Sequence, residues 1–190
     1  IAGSLIKNPG GGIAPTGGYI AGKKDYIDLV GGRLTAPSEG MEVGSYDNGY
    51  RAFYQGLFMA PHTVCQAIKG AALYAEAFKY FGFEVLPADN RFYDIITSIK
   101  LENENNLIKF CQMVQAASPV DSFAAPYPWD MPGYQNKVIM AAGCFVQGAS
   151  IELSCDGPVI PPYTVYLQGG LTYEHVKISV IKCLKGLNLI

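Results

Sequence analysis

Lys7 lies between the apolar pair Leu5-Ile6 and a glycine-rich run, in the stretch IAGSLIKNPGGGIAPTGGYIAG. An amine that condenses with a carbonyl compound must be neutral, so such lysines are held where charge is poorly solvated and no carboxylate pairs with them. The first acid of the chain is Asp25, and seven glycines fall within the first 22 residues. Glycines let the backbone approach a flat ligand and turn its amides toward a phosphate. Ser4, three residues before Lys7, brings a hydroxyl toward the same group. A solvated lysine at a glycine-rich turn has the same spacing, and these residues alone do not separate the two readings. Two phosphate motifs are excluded by order. A Walker A loop carries its lysine after the glycines, whereas Lys7 precedes Gly10, Gly11 and Gly12. The dinucleotide fingerprint needs an apolar helix start after its glycines, which GGGIAPTGG lacks.

The elements that must position Lys7 fall into three zones. After the glycine-rich start comes a short helix, expected from Lys23 to Leu34 and stopped near Ala36-Pro37. From Tyr50 to Phe81 apolar residues recur at three and four, which predicts a long helix that Pro61 should kink or divide and Gly82 should close. From Phe83 onward strand and helix signals alternate: FEVLP, YDIITSIKL, a helix from Glu104 to Ala116, KVIMAAG, TVYLQGG, and a last helix from Tyr173 to about Leu187. The segment VQGASIELSCDGP reads as a strand and turn with satisfied polar groups, and a place at the substrate mouth is the other reading. The whole is a compact α/β domain joined by a long helix to the tail of another domain.

Composition narrows the function classes. A net charge of −2 gives no general attraction to nucleic acid or anionic membrane. No apolar run reaches the roughly 18 residues of a membrane span, and the stretch that starts at Ile1 lacks the basic, apolar and cleavage regions of a signal peptide. The five cysteines form no CxxC pair and sit among apolar or small residues, so buried, reduced thiols and a cytoplasmic protein are expected. His62 and His175 have no metal-ligand spacing, and no metal site is expected. The chain starts at Ile1, inside what reads as a strand, and is expected to be the rear part of a longer protein.

Six blocks in order, GSLIKNPGGGIAPTGGYIAG, RLTAPSEG, YQGLFMAPH, ASPVDS, PGYQNKVIMAAGCFVQGASIELSCDGP and PYTVYLQGGLTYEHVK, resemble the C-terminal part of the methionine gamma-lyase-like family, often labelled aluminium resistance proteins. The resemblance covers nearly the whole chain. It implies a fold-type I enzyme related to the cystathionine lyases that uses pyridoxal 5'-phosphate, with Lys7 as the lysine bonded to the cofactor. Residues 1–49 would end the large cofactor domain, 50–82 connect, and 83–190 form the small C-terminal α/β domain. Relatives carry Ser-x-Thr-Lys at this point; here Ser4 is kept and Ile6 replaces the threonine. Thr16 and Gly17, in APTGG, resemble a loop that in some fold-type I enzymes reaches the phosphate of the neighbouring subunit. The arginine that holds the substrate carboxylate in cystathionine lyases has no counterpart in VYLQGG, where Tyr166 or Gln168 stands instead, and Arg33 is the candidate among three arginines. The resemblance implies a homodimer or homotetramer with a small amino acid substrate and no nucleic-acid or membrane partner. The expected reaction is elimination of a sulfur group from an amino acid. The alternative is a non-catalytic or regulatory member serving metal-stress response. The aluminium label gives no metal site, because that ion prefers hard oxygen ligands and the sequence holds no acidic cluster.

Overall fold

The computed structural model describes residues 1–35, 39–40, 49–89 and 91–190. One of the six blocks reaches beyond them: RLTAPSEG includes residues 36–38, so the expected helix stop at Ala36-Pro37 lies outside the described residues, and the boundary at residue 49 follows the undescribed 41–48. The chain opens with strand β1 (Ala2–Ser4), a 3-10 turn (Asn8–Gly10), strand β2 (Gly18–Ile20) and helix α1 (Lys24–Leu34). Helix α2 runs from Arg51 to Tyr80. After it come β3 (Val85–Leu86), β4 (Ile96–Lys100), α3 (Glu104–Ala117), β5 (Val138–Ala141), β6 (Ser154–Pro158), β7 (Thr164–Gln168) and α4 (Tyr173–Gly186).

Helix α2 is continuous through Pro61. The expected division does not occur, and the placement of the proline explains why. Proline removes one N–H from the helix and frees the carbonyl four residues earlier. That carbonyl belongs to Leu57, on a stretch where Leu57, Phe58, Pro61 and His62 are all exposed, so water can satisfy it. The buried stripe lies on the other side: Gly56, Ala60, Thr63, Ala67, Gly70, Tyr74 and Phe78 recur at three and four. Gly82 closes the helix with φ +86°, and Phe83 N–H returns to the Phe78 carbonyl at 3.1 Å.

Strands β3 to β7 form one antiparallel sheet in the order β3-β4-β7-β6-β5. Alternation decides its faces. Thr97 and Ile99 of β4, Val165 and Leu167 of β7, and Ile139 and Ala141 of β5 are buried beneath α2, α3 and α4. Ile96, Tyr166 and Met140 occupy the opposite face and stay partly exposed. Tyr74, Phe78 and Phe110 make an aromatic cluster at the centre of the core. Polar groups inside are paired: Thr97 Oγ1 donates to the Ala71 carbonyl at 3.0 Å, and the Tyr74 hydroxyl shares a hydrogen bond of 2.6 Å with Ser179. Among the described residues no buried side-chain nitrogen or oxygen lacks a partner.

The cysteine expectation needs one correction. Cys111, Cys144, Cys155 and Cys183 are buried free thiols, but Cys65 is exposed. Val64 before it and Ala67 after it are apolar or small, yet position 65 falls off the buried stripe of α2. Trp129, half-exposed, forms an isolated bridge with Val138 at the edge of β5. Among the described residues no helix is long and apolar enough to cross a membrane, and no cluster of metal-ligating side chains occurs.

Two measurements check this packing. Tyr74→Phe leaves the buried Ser179 hydroxyl without its aromatic partner and should destabilise the fold by about 1 kcal/mol, read as a lower urea midpoint with an unchanged slope. Burial pushes the Cys183 thiol up to about 12. At pH 8.5 it is therefore protonated and enclosed, and iodoacetamide should modify Cys65 while leaving Cys183 unmodified, as counted by peptide mass spectrometry.

Candidate functional site

Strands β1 and β2 pair antiparallel, with Gly3 opposite Tyr19 and Ser4 opposite Gly18, and Leu5 N–H extends the ladder to the Gly17 carbonyl at 2.9 Å. Lys7 follows β1 and precedes the 3-10 turn, whose amides fold back locally: Gly10 N–H donates to the Lys7 carbonyl at 3.0 Å and Gly11 N–H to Asn8 at 3.1 Å. Pro9 suits the start of such a turn because its missing N–H would have no partner there. The turn is seated on α2 by backbone contact. A Cβ on Gly56 would lie 2.2 Å from the Gly10 carbonyl oxygen, and one on Gly11 would lie 2.5 Å from the Gly56 oxygen. Thr63 Oγ1, buried two turns further along the helix, donates to the Gly11 carbonyl at 3.2 Å. These glycines are required for close approach, and Gly11 also has φ +57°.

The side chain of Lys7 crosses to the other end of the fold. Its Nζ donates to the Gly148 carbonyl at 2.5 Å, 141 residues away in sequence. Lys7 belongs to a cleft of about 380 Å³. Ser4, Lys7 and Tyr19 form one wall, and Asp94, Ser150 and Gln168 the other. The amine partner is a carbonyl, and among the described residues no ion pair involves Lys7. The absence of a pairing carboxylate agrees with the sequence reading. The expected poor solvation does not: Lys7 is exposed.

The remaining candidates divide. Ser4 shares the cleft with Lys7, and its Oγ accepts Ile6 N–H at 3.3 Å, which leaves the hydroxyl hydrogen to donate elsewhere. Ile6, in the place of the relatives' threonine, packs toward Gly148, where a Cβ would meet Ile6 Cδ1 at 3.6 Å. Thr16 and Gly17 are exposed on the connection between β1 and β2 and lie outside the cleft wall. Arg33 is exposed on α1 and is also outside it. Of the two residues standing where an arginine was expected, Gln168 lines the same cleft as Lys7, while Tyr166 lines a separate groove with Arg91, Tyr93 and Leu86. His175 serves structure, its Nε2 lying 2.9 Å from the Ala117 carbonyl.

Sequence reasoning did not name Tyr19, Asp94 or Gly148. For Tyr19 a signal exists: Gly3 pairs opposite it, and a Cβ there would lie 2.6 Å from the Tyr19 ring, so glycine makes room for the aromatic ring. Asp94 caps the entry to β4, its Oδ1 accepting Ile96 N–H at 2.8 Å, and nothing in sequence points it at Lys7. Beneath the cleft, burial pushes the Cys144 thiol up to about 12; the Glu152 carboxylate adds to this and Lys7 opposes it.

As a donor set, a primary amine flanked by hydroxyls and free of carboxylate partners fits an aldehyde that also carries a phosphate. Among the described residues of the cleft, Lys7 and Ser4 supply the amine and a hydroxyl of such a set.

The chain belongs to the methionine gamma-lyase family, whose model it matches over residues 1–188. It is 49% identical over 188 residues to the uncharacterized protein YnbB of Bacillus subtilis strain 168, covering 98% of this chain and 45% of that protein. It is also similar to a solved Listeria monocytogenes protein provisionally named a cystathionine beta-lyase involved in aluminium resistance, with 51% identity and a TM-score of 0.94. The match covers 98% of this chain and 46% of that one. A carbon-sulfur lyase involved in aluminium resistance from Clostridium novyi NT gives 53% identity and a TM-score of 0.91, over 98% of this chain and 44% of the other. The chain thus spans less than half the length of these relatives.

The seating of the lysine loop yields a test. Gly56→Ala in the full-length protein should force the 3-10 turn off α2 and cost about 1–3 kcal/mol. Limited proteolysis should then cut between residues 5 and 17 at a rate well above wild type.

Proposed function

We propose that this chain supplies the reactive lysine and the small domain of a fold-type I, pyridoxal-phosphate-dependent lyase that cleaves the carbon-sulfur bond of a sulfur-containing amino acid. The observation that carries the reading is the Lys7 amine, which lies in a cleft with the Ser4 hydroxyl, donates to a carbonyl and, among the described residues, forms no ion pair. Membership of the methionine gamma-lyase family and the names of the solved relatives support the same chemistry.

In this reading Lys7 Nζ holds the aldehyde carbon and Ser4 Oγ donates to the phosphate. When bound, pyridoxal 5'-phosphate supplies the electron sink that makes a proton on the substrate α-carbon removable. Once the amino group of the substrate has taken its place on the aldehyde carbon, Lys7 Nζ is a free amine and would take that proton as a neutral base. The Gly148 carbonyl is the acceptor that holds Nζ in the meantime. Gln168 and Ser150, on the facing wall, orient the amino acid so that its bond to sulfur is the one that breaks. Thr16, Gly17 and Arg33 lie outside the cleft of their own chain, so their phosphate and carboxylate contacts are assigned to the site of a neighbouring subunit. A homodimer or homotetramer is therefore part of the proposal.

The test is turnover by the full-length protein. With cystathionine or methionine as substrate, thiol and keto acid should be released, and Lys7→Ala should lower that rate at least about a hundredfold. Cofactor bound without turnover of either substrate would overturn the lyase reading in favour of a non-catalytic, regulatory role in metal-stress response.

A further inference from the structure

We infer that Glu152 is a positioning residue for Lys7, acting through the turn that carries the Gly148 carbonyl. The inference rests on the reading of Lys7 as the reactive amine. Glu152 is 3% exposed, and a carboxylate so deeply buried is costly unless donors satisfy it. Both of its oxygens are occupied. Oε2 accepts Phe145 N–H at 2.8 Å and Oε1 accepts Val146 N–H at 2.9 Å. Among the described residues no ion pair involves it. A leucine would fill similar space and leave two amides without partners. The particular contribution of the carboxylate is to clamp two consecutive N–H groups.

The clamped residues open a tight turn. Val146 accepts Ala149 N–H through its carbonyl at 3.1 Å, and Gly148 occupies the third position with φ +76°, the geometry of a type II turn. The direction of the Gly148 carbonyl follows from that conformation, and the carbonyl receives Lys7 Nζ. The clamp is itself held from behind. Gly170 N–H donates to the Ile151 carbonyl at 2.8 Å, and a Cβ on Gly169 would lie 2.2 Å from the Glu152 carbonyl oxygen. The sequence 143–152 thus passes a constraint from the end of β7, through the Glu152 side chain, to the acceptor of the reactive amine. Glu152 touches neither Lys7 nor the cleft wall, so its role is indirect.

The experiment uses full-length protein freed of bound carbonyl compounds and trace-acetylated with acetic anhydride. Lys7 labelling is measured against the exposed Lys185 by peptide mass spectrometry. Glu152→Gln keeps the shape but turns an NH₂ toward one backbone donor, and should raise the Lys7 ratio at least about threefold by releasing the amine from Gly148. Glu152→Asp, which keeps the charge, should fall between Gln and wild type. Gly148→Ala should raise the ratio without touching the carboxylate, and combining it with Glu152→Gln should add nothing beyond the larger single effect, since both act through one turn. An unchanged ratio in both Glu152 variants, or additive effects in the double variant, overturns the inference. Borohydride trapping of added pyridoxal phosphate on Lys7 is run in parallel and should fall in the same variants. Wild-type protein that traps none would contradict the cofactor reading, while the acetylation ratio, which needs no cofactor, still decides the role of Glu152.

Discussion

The backbone contact between the lysine loop and the long helix is the constraint on which the site depends. The Gly10 carbonyl and Gly11 lie so close to Gly56 that no side chain fits at Gly11 or Gly56, and Thr63, two turns further along the helix, fastens the Gly11 carbonyl. Helix α2 then carries that seat into the core of the small domain, where Tyr74 and Phe78 pack against α3 and α4. A lysine on a glycine-rich loop would ordinarily wander, because glycine carries the largest backbone entropy of any residue. Here the glycines have the opposite effect, since they permit a contact close enough to fix the loop.

The second half of the arrangement comes from the far end of the chain. Lys7 is met by a carbonyl in the loop between β5 and β6, and that carbonyl owes its direction to a turn pinned by a buried carboxylate. Hydrogen bonding to a neutral carbonyl fixes the amine in space without supplying a negative charge that would compete with its chemistry. The sheet contributes rigidity: β6 and β7 pair directly, and the glycines after β7 press on the segment that bears Glu152. A site divided between two ends of a chain acquires precision when both ends are tied to the same sheet and helix.

Much of this was legible in sequence where a periodic signal existed. The stripe at three and four across α2, the glycine that ends it, and the helices α1, α3 and α4 lie where the pattern placed them, and Lys7 and Ser4 line one cleft. Pro61 misled because its effect depends on whether the freed carbonyl meets solvent, a tertiary fact. Cys65 misled because apolar neighbours in sequence do not place a residue on the apolar face. Asp94 and Gly148 were invisible for a different reason: each reaches the cleft through long-range packing, and no local motif marks the partner of a lysine 141 residues away. The polar segment at 147–156 is the turn and strand that its pattern suggested, with its buried acid satisfied, and its Ser150 lines the cleft that holds Lys7.

The most direct measurement is chemical trapping at Lys7 in the full-length protein. After reduction with borohydride in the presence of pyridoxal phosphate, the peptide containing Lys7 should carry a phosphopyridoxyl group, and any absorbance of the bound cofactor should be lost with it. An unmodified Lys7 peptide from folded protein saturated with the cofactor would contradict the account at its centre.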